Sequence, residues 1–71
     1  MKEYTVIYER GSRNWSAYVP DLPGCVATGK TRRDLEKQMR EAIEFHIEGM
    51  TQAGEKVPEP TIVAGTVKVP A

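Results

Sequence analysis

The first half of the chain alternates apolar and polar positions. In KEYTVIYER, Tyr4, Val6 and Tyr8 fall to one side and Thr5, Ile7 and Glu9 to the other, which is the period of a half-buried strand. GSRN follows and reads as a hairpin turn, because glycine and asparagine tolerate positive φ. WSAYVP alternates again, with Trp15, Ala17 and Val19 against Ser16 and Tyr18, and Pro20 ends the run because proline cannot donate to a ladder. Leu22, Pro23, Gly24 and Cys25 fit a type II turn, with proline setting φ at the second position and glycine taking positive φ at the third. CVAT then resumes a short strand that Gly29 breaks.

From Thr31 the period changes. Leu35, Met39, Ala42, Ile43, Ile47 and Met50 recur every three or four residues and define one apolar helix stripe. Thr31 suits an N-cap, and Asp34 stands three residues on, where a carboxylate reaches back in a capping box. Gly54 is a natural terminator, and Pro58 and Pro60 forbid helix beyond. Val67 and Val69 flank Lys68 in a further alternating stretch. The expected elements are strands over about 2–10, 15–20 and 25–28, a helix over about 32–52, and a last strand over about 61–69. In that order, β-β-β-α-β, they make one α+β domain over residues 1–71, a small antiparallel sheet with one helix packed on one face.

Composition sharpens this. A chain of 71 residues buries a small core, and its single cysteine rules out an internal disulfide. Association is the remaining route to stability, so a homo-oligomer, dimer or tetramer, is expected. No apolar run is long enough for a signal peptide or a membrane span, which points to a soluble cytoplasmic protein. Ten basic and ten acidic residues cancel overall. They are unevenly placed, with eight against five over residues 1–40 and two against five over residues 41–71, or +3 and −3.

Three chemistries have candidate residues, each with a plainer reading beside it. Cys25 with His46 would make a nucleophile and base, but His46 falls within the apolar stripe and a lone cysteine is usually an inert small hydrophobe. The acids Glu36, Glu41, Glu44 and Glu48 lie on a solvated helix face beside Lys37 and Arg40, so paired-carboxylate hydrolysis has little support, and neither metal nor cofactor is implied. Lys30, Arg32, Arg33, Lys37 and Arg40 gather around the helix N-terminus, against the macrodipole, and are the candidate nucleic-acid contacts. Phe45, off the stripe's centre, and the uncovered sheet face point instead to protein binding.

Residues 4–50 resemble the HicB family of type II antitoxins, through YTVIYE, WSAYVPDLPGCVATG, the Thr31 helix start, EAIEFHIEG and the later PEP. The resemblance implies a degraded ribonuclease-H-like fold and a non-enzymatic role: binding a small HicA-type mRNA-cleaving toxin and covering its active site. Asp21, Leu22, Glu41, Glu44, Phe45 and Glu48 are the expected partner contacts. Relatives that repress their own operon carry a DNA-binding module after this domain. The sequence runs only to Ala71, which argues against such a module and against DNA binding. The alternative is an oligomeric nucleic-acid-binding or regulatory module without a toxin.

Overall fold

The computed structural model describes residues 2–71 and contains β1 (Ile7–Arg10), β2 (Trp15–Tyr18), β3 (Val26–Gly29) and α1 (Arg32–Gln52). The strands form one antiparallel sheet in the order β1-β2-β3, so the fold is α+β as expected. Tyr8 stands opposite Ala17 and Ala17 opposite Ala27, while Ile7, Tyr18 and Val26 form the next row. Pleating sends the two rows to opposite faces. The first faces the helix, and the second is the outer face.

The loop at residues 11–14 closes with the Gly11 N–H donating to the Asn14 carbonyl at 2.7 Å. Neither residue takes positive φ. A four-residue loop built around an ordinary turn does not need it, which corrects the expected use of glycine and asparagine there. The second turn forms as read: the Cys25 N–H donates to the Leu22 carbonyl at 3.0 Å and Gly24 has φ of 85°. Nothing lies within 4 Å of where a Gly24 side chain would point, so a substitution there acts on the backbone alone. Gly24→Ala should cost about 1–2 kcal/mol, read as a fall in melting temperature. Gly49→Ala, equally open but helical, should stabilise by about 0.5–1 kcal/mol. Equal effects at the two sites would refute the left-handed turn.

β1 and β2 are shorter than expected, whereas β3 has the expected length, set one residue later so that it includes Gly29. The register would set residues 5 and 6 against Pro20 and Val19. Pro20 has no N–H to donate to residue 5, so the ladder between β1 and β2 loses its next bond at this end.

Helix α1 begins at Thr31, whose Oγ1 accepts from the Asp34 N–H at 3.1 Å. It ends in a Schellman motif: the Glu55 N–H donates to the Met50 carbonyl, the Gly54 N–H donates to the Thr51 carbonyl, and Gly54 has φ of 73°. The first-turn ion pair joins Arg32 and Glu36 at 3.1 Å. Arg32 also lies 5.1 Å from the centroid of the Tyr8 ring, which holds it back towards the sheet.

The buried core is Ala17, Val19, Leu22, Cys25, Leu35 and Met39. β3 runs close to the helix at Gly29, where a Cβ would stand 3.2 Å from the Gln38 side-chain nitrogen and in ordinary contact, at 3.5 Å, with the Leu35 Cβ. The helix accordingly packs chiefly on β3 and β2. The expected fourth strand over residues 61–69 is not formed: residues 55–71 carry no strand. Proline at 58 and 60 removes backbone donors, and the tail is held by side chains instead of a ladder.

Candidate protein-docking surface

Four of the expected partner contacts share one helix face. Glu41, Glu44, Phe45 and Glu48 follow i, i+3, i+4, i+7 spacing, and all are exposed. Phe45 is 79% exposed, so its ring lies almost wholly in solvent. Among the described residues neither Glu41 nor Glu44 forms an ion pair, and Glu48 accepts only from the Gln52 amide at 3.3 Å. The ring makes little contact with its own chain, and two of the three carboxylates beside it, Glu41 and Glu44, form no ion pair among the described residues. Such a face suits a basic partner with an apolar pocket.

The other two expected contacts lie elsewhere. Leu22 is completely buried, which corrects its assignment: as the first residue of the type II turn it tucks its side chain under the end of the sheet. Asp21 is occupied within the chain. Its Oδ1 accepts from the Thr61 hydroxyl at 2.8 Å, and its Oδ2 accepts from the N–H groups of Thr61 and Ile62 at 3.1 and 3.2 Å. Desolvation pulls its pKa upward, but these hydrogen bonds outweigh it and leave the carboxyl below its ordinary value. Nearby, the Tyr4 hydroxyl donates to the Pro58 carbonyl, the Thr5 hydroxyl donates to the Ile62 carbonyl, and Lys2 pairs with Glu59 at 3.0 Å. Together these groups fasten residues 58–62 across the end of the sheet.

A carboxylate with a lowered folded-state pKa stabilises above its unfolded value and loses that contribution as pH falls through the folded one. The tail should therefore stay docked at neutral pH and come free only below about pH 4. Amide NMR shifts of Thr61 and Ile62 should move together in that range and stay flat above it, and Asp21→Ala should reproduce the acid spectrum at pH 7. Shifts unchanged by the substitution would overturn the clamp.

The basic residues Lys30, Arg32, Arg33, Lys37 and Arg40 are all exposed. Arg32 is tied to Glu36 and Tyr8, and Arg40 lines the same groove as Glu36 and Glu44. The cluster is thus interleaved with acids rather than presented as a uniform positive stripe.

One feature escaped the sequence reading. Because α1 lies over β2 and β3, the β1 side is left open, and a groove of about 820 Å³ runs between Tyr4, Val6 and Tyr8 and the helix residues Met39, Ile43 and Ile47. Burial pushes the Tyr8 phenol up, helped by Glu36 and opposed by Arg32. The stripe of Tyr4, Val6 and Tyr8 was visible in the sequence, whereas the sideways placement of the helix was not.

Nucleophilic chemistry finds no support in the site. Cys25 is 4% exposed, and burial pushes its thiol up, away from the thiolate a nucleophile needs. Among the described residues, no three His, Cys, Asp or Glu side chains gather closely enough to hold a metal ion, and no helix is long and apolar enough to cross a membrane.

Residues 4–71 match the family described as HicB_like antitoxin of bacterial toxin-antitoxin system. The chain is 38% identical over 56 residues to an uncharacterized 14.9 kDa protein from the rep-hol intergenic region of Haemophilus phage HP1, covering 79% of this chain and 42% of that protein. It is 37% identical over 57 residues to a UPF0150 protein of Thermoplasma acidophilum, covering 79% of this chain and 83% of the relative. The chain thus spans less than half the length of the phage relative and most of the archaeal one.

Proposed function

We propose, from the premise that this chain belongs to the family of HicB_like antitoxins of bacterial toxin-antitoxin systems, that it is a cytoplasmic binding protein, not an enzyme, which neutralises a HicA-type mRNA-cleaving toxin by covering its active site. The observation that carries the contact face is Phe45, nearly fully exposed on a helix it does not stabilise, with Glu41, Glu44 and Glu48 beside it. A ring of that kind anchors in a partner's pocket, while the carboxylates complement a basic rim and speed encounter. Inhibition on this reading is steric. The helix lies over the toxin's catalytic groups and keeps the RNA phosphates out, with the carboxylates adding repulsion to the approaching backbone.

Co-expression with a HicA-type toxin tests the reading. Relief of growth arrest and copurification of the two chains are expected. Persistent arrest with the antitoxin folded and abundant would refute it for that pair. A nucleic-acid role fits less well, because the net charge is zero and Arg32 is already paired. It would show as binding that falls steeply with salt and is lost in the pair Arg33→Glu, Lys37→Glu.

A further inference from the structure

Three cations meet at one end of the sheet. The register closes the first hairpin on Arg10 and Trp15 and sets Trp15 opposite Gly29 of β3. These residues form one row across the three strands, and Lys30 follows where the chain leaves β3. Arg10, Ser12, Arg13, Asn14, Trp15 and Lys30 together line a concavity of about 120 Å³. That is roughly the volume of four water molecules, room for a single tetrahedral oxyanion.

No acid lines this concavity, whereas Glu3, Glu36 and Glu44 stand among the cations of the groove beside β1. Among the described residues, Arg10, Arg13 and Lys30 form no ion pair and no side-chain hydrogen bond. The loop has donors to spare as well. Its backbone bond runs from the Gly11 N–H to the Asn14 carbonyl, and among the described residues the N–H groups of Ser12, Arg13 and Asn14 donate to no carbonyl. Helix α1 starts two residues after Lys30 and adds the positive end of its dipole. Like charges gathered in this way repel one another, a cost that a bound anion reverses.

We infer that this concavity binds the dianionic phosphate group of a small molecule, either inorganic phosphate or a phosphate monoester. Arg10 and Arg13 supply planar forks that each meet two oxygens, and Lys30 supplies a point charge. Successive N–H groups in the turn provide the remaining donors. Three cations around one centre match a compact dianion. A nucleic-acid backbone presents single charges about 3.4 Å apart along each strand, which calls for cations in a row. The concavity lies before the start of α1, and Glu41, Glu44, Phe45 and Glu48 lie further along that helix. The inference therefore stands apart from the toxin-binding reading.

Trp15 is the only tryptophan of the chain, so its fluorescence reports on the concavity directly. The purified chain is titrated with inorganic phosphate and with ribose 5-phosphate at low, constant ionic strength and about pH 8, where both are dianions. A saturable change, half complete at about 1 mM or below, is expected with at least one of them, and the tighter of the two identifies the source. The amide NMR shifts of Ser12, Arg13 and Asn14 should move along the same curve. Dimethyl phosphate, a monoanion, should bind at least about tenfold more weakly. Arg10→Gln and Arg13→Gln should each weaken binding by about tenfold. Lys37→Gln, on the helix outside the concavity, should leave it unchanged. Circular dichroism should be the same for all three variants, because the side chains they replace are exposed. Fluorescence and amide shifts that do not saturate, dimethyl phosphate binding as tightly as the dianions, or an affinity indifferent to Arg10→Gln and Arg13→Gln would overturn the proposal.

Discussion

Leu35→Ala should remove about 2–5 kcal/mol of stability, and of the substitutions considered it has the largest expected effect on folding. Leu35 is fully buried in the first turn of α1 and stands against Gly29 of β3. It is the point at which the helix is fixed to the sheet. Alanine leaves a cavity that the glycine opposite has no side chain to fill. Only six of the described residues are buried, and a domain of 71 residues has about 4–11 kcal/mol in total. Urea unfolding at fixed protein concentration should show the midpoint falling by at least 1 M, with loss of the folded baseline near the upper end. A loss below 1 kcal/mol (about one CH₂ of burial) would show that the helix is held elsewhere.

The second large effect is on binding and leaves the fold untouched. Phe45→Ala should reduce affinity for the toxin by about 30-fold or more, while stability changes by no more than about 0.5 kcal/mol. The two parts belong together: the ring is 79% exposed, so the folded chain loses almost no contact, and alanine is the better helix former. Calorimetric titration of the toxin measures the first part and thermal unfolding the second. Replacing Glu41, Glu44 and Glu48 by glutamine should act differently, slowing association chiefly at low salt, because rim charges govern encounter more than residence. Full affinity in Phe45→Ala would move the contact off this face, and the groove between Tyr4 and Ile43 would be the next surface to probe.

The two turns illustrate how far the sequence could be read. Pro23 and Gly24 dictate a type II turn because one residue is confined to the required φ and the other alone adopts it freely, and the turn forms. Residues 11–14 carry no such constraint, and the expected positive φ was not used. Helix α1 spans residues 32–52 as expected because its periodicity, its Thr31 cap and its Gly54 stop are all local. The tail could not be read in the same way. Its alternation resembles a strand, but a strand needs an open edge in register, and no local pattern says whether one is offered.

Asp21 and Leu22 mark the boundary most sharply. They are neighbours in a turn rich in proline and glycine, where exposure is the natural expectation for both. One is sealed beneath the sheet and the other holds a segment 40 residues away. Phe45 differs, because its exposure follows from its angle off the helix stripe and was legible at once. The sequence alone settled the first three strands and the helix as elements, the type II turn, the helix ends and the exposed helix face, since these depend on φ preferences and on periods of two and 3.6 residues. Tertiary structure decided the sideways seat of the helix, the groove beside it, the burial of Leu22 and the fastening of residues 58–62. Each of these depends on which distant side chains meet, as Gly29 meets Leu35 and Asp21 meets Thr61, and no short-range pattern encodes such a meeting.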